Sequence, residues 1–108
     1  MKVYFSPEAL TDLQQVKESV IEKFNDVELA NQILRTIMKS AKNLQIFPGM
    51  GTEVRISASD SMGYRYLFVK KNYVFYRIEQ DTIRIVRVLN EKQDYMRILY
   101  GITEDEDD

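Results

Sequence analysis

Between residues 55 and 97 the chain carries nine basic side chains, among them Arg65, Lys71, Arg77, Arg84, Arg87 and Lys92, against five acidic ones. Interleaved with them are Tyr64, Tyr66, Phe68, Tyr73, Phe75 and Tyr76. Guanidinium and ammonium groups stabilise developing negative charge and grip carboxylates or phosphates, while aromatic faces stack on bases or pack into a core. Histidine and cysteine are both absent. That removes the usual neutral-pH general base, the commonest metal ligand and the thiolate nucleophile, so serine-histidine and cysteine-histidine mechanisms are excluded. Proton transfer would fall to tyrosine, glutamate or lysine. No phosphate loop, dinucleotide fingerprint or metal-ligand spacing occurs, and no cofactor or metal is expected.

The charge is divided along the chain. Residues 1–54 hold six basic and seven acidic side chains, residues 55–97 hold nine and five, and Glu104 to Asp108 are five consecutive acids. The net charge of −2 therefore conceals a moderately basic second half and an acidic tail. This is less basic than a dedicated nucleic-acid binder, whose pI exceeds about 9. The tail reads first as a solubilising segment, and a second role weighed for it is electrostatic competition for the basic face. At 108 residues and 44% hydrophobic content the chain fits one small domain, assigned to residues 1–102, with a disordered tail over 103–108. Neither a membrane span nor a secretory signal is visible, and the lack of cysteine agrees with a reducing cytoplasm.

The elements that must position these side chains follow from periodicity. Lys2 to Phe5 reads as a strand. Ser6-Pro7-Glu8 then supplies an N-cap, a first-turn proline and an early acid. Leu10, Leu13, Val16, Val20, Ile21 and Phe24 recur at helical spacing. Asn25-Asp26 breaks that helix, and Asp26 caps a second one, whose apolar face is Ala30, Leu34, Ile37, Ala41 and Leu44. Phe47-Pro48-Gly49-Met50-Gly51 ends it, and the two helices form an antiparallel hairpin. Tyr64–Val69, Tyr73–Glu79 and Thr82–Asn90 are β-rich segments joined by turns at Lys71-Asn72 and Gln80-Asp81. Arg55 to Gly63 is polar and reads as a loop with a short strand at its start, and Tyr95 to Leu99 as a short helix. The expected class is α+β with order β-α-α-β-β-β, the helical hairpin packing on a small antiparallel sheet.

A two-residue turn at Gln80-Asp81 sets Glu79 opposite Thr82, Arg77 opposite Arg84, Phe75 opposite Val86 and Tyr73 opposite Val88. One face then holds Val74, Tyr76, Ile78, Ile83, Ile85 and Leu89, apolar apart from Arg87, and belongs under the helices. The other holds Tyr73, Phe75, Arg77, Glu79, Arg84, Val86, Val88 and Asn90. A like-charge pair at Arg77 and Arg84 costs ~0.2–1 kcal/mol unless relieved. Either Glu79, Asp81 or another acid neutralises it, or it marks a site for an anion or an acidic partner. Arg87 among aliphatics reads as a guanidinium that snorkels outward or pairs with a helix carboxylate.

The order of Ser6-Pro7-Glu8-Ala9, Asp12-Leu13, Leu44-Gln45-Ile46-Phe47-Pro48-Gly49-Met50-Gly51, Tyr64-Arg65, Asn72 to Arg77, Ile83 to Leu89 and Asp94-Tyr95 resembles toxins of the RelE/ParE superfamily. The likeness covers about residues 2 to 100. It implies the toxin of a bacterial type II toxin–antitoxin (plasmid stabilisation) system, acting in the cytoplasm and neutralised in a hetero-oligomer by a cognate antitoxin. RelE-like members cut messenger RNA on the ribosome. ParE-like members inhibit DNA gyrase and lack the cutting cluster. Tyr73 stands where the ribonucleases carry arginine, and Asn90 to Tyr95 offers only Lys92 and Tyr95 as stand-ins. The resemblance therefore favours the ParE branch, with Tyr73, Phe75, Arg77 and Arg84 as the antitoxin- or target-binding face. Two alternatives remain open at this point: an endoribonuclease using Arg65, Lys71, Arg87, Lys92 and Tyr95 on ribosome-bound messenger, and an inactive relative that only binds antitoxin.

Overall fold

Strand β1 (Lys2–Phe5) runs directly into Ser6, whose Oγ accepts the Ala9 N–H at 3.0 Å, and Pro7 takes the first position of α1 (Pro7–Phe24). The structure, a computed structural model, describes residues 1–55 and 63–100. Asn25, in the left-handed region at φ 52°, closes α1. One residue later the Asp26 carboxylate accepts the Leu29 N–H at 2.9 Å and opens α2 (Val27–Lys42). The hairpin is thus written in two caps, as the sequence implies.

Two short 3-10 turns, Asn43–Gln45 and Pro48–Met50, lead into β2 (Thr52–Glu53). The short strand expected at Arg55 lies slightly earlier, and residues 56–62 of the expected loop fall outside the described residues. Strands β3 (Arg65–Val69), β4 (Asn72–Glu79) and β5 (Thr82–Asn90) follow, and α3 (Tyr95–Tyr100) ends the described chain. Both the proposed domain end at residue 102 and the 103–108 tail lie outside the described residues. Among those described, no helix is long and apolar enough to cross a membrane.

The sheet has five strands in the order β1-β5-β4-β3-β2. Strand β1 pairs with β5 in parallel, so the sheet is mixed rather than purely antiparallel. The free edge of β5 takes β1 because β4 already holds the other edge, and the Ser6 N–H extends the ladder to the Ile85 carbonyl at 2.9 Å.

The expected β4–β5 register holds from the turn to Tyr76 opposite Ile85 and then fails. A bulge between Phe75 and Tyr76 sets Tyr76 opposite Ile85 but Phe75 opposite Arg87, leaving Val86 as the extra residue. The β5 residues beyond it change faces relative to the two-residue-turn expectation, while Tyr73, Val74 and Phe75 of β4 keep theirs. Val88 moves under the helices, and Leu89 joins Phe75 on the outer face. Arg87 leaves the helix-covered face. That face seals a core in which Ala9, Leu13, Ile37, Ala41 and Leu44 meet Val74, Tyr76, Ile83, Ile85 and Val88. The Tyr76 hydroxyl accepts the Gly51 N–H at 2.9 Å and donates to the Pro48 carbonyl at 2.8 Å, pinning the loop after α2. A Cβ at Gly51 would stand 2.6 Å from that hydroxyl, so only glycine fits there.

Candidate functional site

The outer face of the sheet is divided into a covered half and an open half. On the covered half, Tyr66, Tyr73, Phe75 and Leu89 lie beneath α3. Asp94 starts that helix by accepting the Arg97 N–H at 3.2 Å. Before it, Asn90 Oδ1 accepts the Lys92 N–H at 3.0 Å and Gln93 Oε1 accepts the Asn90 N–H at 2.8 Å, fixing the turn. The Tyr95 ring then sits 5.3 Å from both Tyr73 and Phe75. Burial beneath this cluster raises the Tyr95 phenol above its usual pKa, with Tyr73 and Tyr66 adding to the effect.

The open half is a groove of about 340 Å³ between β4, β5, the start of α1 and the far end of α3. Ile98 and Leu99 form its apolar wall, and Arg77, Arg84 and Arg87 its basic side, with Glu8 at the rim. Arg77 and Arg84 are cross-strand neighbours, as the turn predicts. Among the described residues no ion pair forms to either. Glu79, a candidate neutraliser, instead accepts a long 3.4 Å hydrogen bond from the Tyr4 hydroxyl. Arg77 Cζ rests 5.1 Å from the Tyr64 ring centroid, a cation–π contact that holds it over the groove. The Arg84 Nε is buried and, among the described residues, has no hydrogen-bond partner. A buried donor of this kind costs free energy until an acceptor arrives, and a carboxylate is the acceptor that binds a guanidinium most strongly.

Arg87 lines the same groove but is already engaged. Its Nε and Nη2 donate to the two Asp12 oxygens at 2.7 and 2.8 Å, and the Val88 N–H donates to the same carboxylate at 2.9 Å. Asp12 is 3% exposed. The hydrogen bond to Asp12 raises the Arg87 pKa, with burial opposing and the charges of Asp12 and Glu8 assisting. Strand β1 pairs with β5 only as far as Ile85, so beyond it Asp12 on α1 accepts the Val88 N–H in place of a neighbouring strand.

The five residues of the ribonuclease alternative are not gathered into one place. Arg65 lies opposite Tyr76, on the helix side, and donates to the carbonyls of Gly49 and Gly51 at 3.2 and 3.1 Å. Arg87 is held by Asp12 on the other side of the sheet. Lys71 forms the exposed β3–β4 turn, whose two lysines both have positive φ. Its carbonyl accepts the Glu91 N–H at 2.9 Å, so Lys71, Lys92 and Tyr95 do share one end of the sheet. Of the four binding-face candidates, Arg77 and Arg84 are brought together in the open groove. Tyr73 is half-buried and Phe75 fully buried beneath α3. Sequence reasoning missed Tyr64, Ile98 and Leu99 as groove walls and Asp12 as the partner of Arg87. Asp12 did leave a trace: it falls three residues after Ala9 and four before Val16, on the stripe that faces the core.

A family model described as the ParE toxin of the type II toxin-antitoxin system parDE matches residues 3–95. The fold is similar to a solved chain of a chromosomal ParDE TA system from P. aeruginosa, with a TM-score of 0.69 and 22% identity, covering 83% of this chain and 95% of that one. No curated protein matches.

Proposed function

Because the chain belongs to the ParE toxin family of type II toxin–antitoxin systems, we propose that it arrests growth in the cytoplasm by binding DNA gyrase rather than by catalysis, and that a cognate antitoxin neutralises it. The observation that carries this reading is the open groove. Two adjacent guanidiniums without ion-pair partners among the described residues, Arg77 and Arg84, face an apolar wall of Ile98 and Leu99. That is the complement of an acidic amphipathic peptide segment, whose apolar residues cover the wall while its carboxylates meet the arginines. The covered half of the same face, with Phe75 buried, supports the groove rather than contacting the partner. Dispersal of Arg65 and Arg87 to opposite sides of the sheet, each already hydrogen-bonded, supports binding over cleavage.

The test is a supercoiling assay with purified gyrase, titrated with this chain and then with the antitoxin encoded beside it. Inhibition relieved at one-to-one antitoxin is the expected result. Unimpaired supercoiling, together with new messenger cuts inside codons under translation, would replace this reading with the ribonuclease one. Within the binding reading, Arg77→Gln and Arg84→Gln should each weaken the antitoxin complex by ~1–3 kcal/mol.

A further inference from the structure

The Arg77–Arg84 groove has a second claimant on the same chain. Residues 104–108 read Glu-Asp-Glu-Asp-Asp, and α3, which delivers them, ends at Tyr100. The Tyr100 ring packs edge-on against Tyr64 at 5.5 Å, and Arg77 Cζ lies 5.1 Å from that same Tyr64 ring. The tail therefore leaves the fold one aromatic ring away from a guanidinium without an ion-pair partner among the described residues. Four extended residues from Tyr100 to Glu104 reach roughly 13 Å, enough to pass the Tyr64 ring and bring the first carboxylates to the arginines.

We propose that the acidic segment 104–108 occupies the Arg77–Arg84 groove in cis and competes there with the antitoxin, an inference that rests on the groove being the antitoxin site. Three features support this occupant. The five carboxylates complement the two arginines, which Glu8 at the rim leaves without an ion pair. The buried Arg84 Nε lacks an acceptor that a carboxylate provides. The short tether gives the tail an effective concentration of about millimolar, so even individually weak contacts are populated while remaining displaceable by a longer partner. Such an interaction is electrostatic and near the surface, and salt weakens it.

The experiment compares the parent chain, made by cell-free synthesis, with a variant carrying Glu104→Gln, Asp105→Asn, Glu106→Gln, Asp107→Asn and Asp108→Asn. These changes lie beyond the last described helix and leave the core untouched. A fluorescein-labelled oligoglutamate peptide is the probe, read by anisotropy, with the Arg84 Nε–H resonance followed by NMR. The expected result is probe binding at least about threefold tighter to the neutral-tail variant at low salt, a gap that closes in molar salt, and an Arg84 resonance that differs between the two chains. Equal probe affinity with an unmoved Arg84 resonance overturns the tail proposal and leaves the groove reading intact. Adding Arg84→Gln to the neutral-tail variant should abolish probe binding. Undiminished binding there would sink the groove reading itself.

Discussion

The two faces of one sheet are built to different standards. Beneath the helices, Val74, Tyr76, Ile83 and Ile85 are fully buried against two helices of 18 and 16 residues. On the other side, a helix of only 6 residues covers Tyr73 and Phe75 and stops short of Arg77 and Arg84. On the first face the fold answers Tyr76, which bonds both Gly51 and Pro48, and Asp12, which bonds Arg87 and Val88, while Arg65 Nε and Asn72 Oδ1 stay without partners among the described residues. On the second, a buried guanidinium nitrogen stays without a partner among the described residues. The long helical hairpin covers the larger of the two described apolar clusters. That leaves the other face free to keep charges that only a partner satisfies.

The sharpest way to break this contrast is to damage the sealed face. Ile37→Ala, at a fully buried position between α2 and the sheet, should cost about 4 kcal/mol through a cavity that the surrounding helices cannot close. Chemical denaturation measures it, and a loss below about 1 kcal/mol would mean that this face is not the stabilising one. Asp12→Ala should follow at about 3 kcal/mol, because it leaves the Arg87 guanidinium and the Val88 N–H without their acceptor. If the pair matters for structure rather than for ligand binding, Asp12→Ala with Arg87→Met should recover much of that loss in the melting temperature.

How far the sequence disclosed this arrangement can be seen at β5. Both helix caps, both hairpin turns and the span Thr82–Asn90 were legible, because serine, proline and aspartate at helix starts and β-branched runs between turns act locally. The bulge at Val86 was not, since neither glycine nor proline marks it. Its trace was the phase break between Ile83 and Ile85 on one side and Val88 on the other, and the apparent placement of Arg87 on an apolar face. A single arginine out of phase is a tertiary signal. It becomes readable only once Asp12, 75 positions away, is known to meet it. The same holds for α3: its apolar residues were visible, but not which half of the outer face they would cover. The open groove is what that choice leaves behind.

The weaker face yields smaller effects. Leu99→Ala should loosen the edge of α3 by about 1 kcal/mol at most, speeding amide exchange in Tyr95–Tyr100 while β4 and β5 stay protected. Uniform acceleration throughout the chain would instead show that the two faces unfold as one unit. Arg84→Gln should leave stability unchanged or raise it by a few tenths of a kcal/mol, because it removes a like-charge neighbour of Arg77 while weakening antitoxin binding. A clear fall in melting temperature would assign Arg84 to structure and remove it from the recognition surface.

The smallest effect is expected at Tyr95, and its value is in the sign. Burial and the neighbouring Tyr73 and Tyr66 raise its phenol above the ordinary value in the folded chain. Below about pH 10 the group is neutral in both folded and unfolded states and contributes no pH dependence. As pH climbs through the unfolded value, the unfolded chain releases its proton first, so the folded state loses stability until its own raised pKa is passed. Tyr95→Phe should therefore match the parent near neutrality and show a shallower fall in melting temperature on the alkaline side. The same variant bears on function. A binding toxin keeps its growth arrest when this hydroxyl is lost beneath the aromatic cluster, whereas a nuclease that moves a proton through Tyr95 does not. Retained arrest with a flattened alkaline profile would place Tyr95 on the supporting half of the outer face. Abolished arrest would move it into the site.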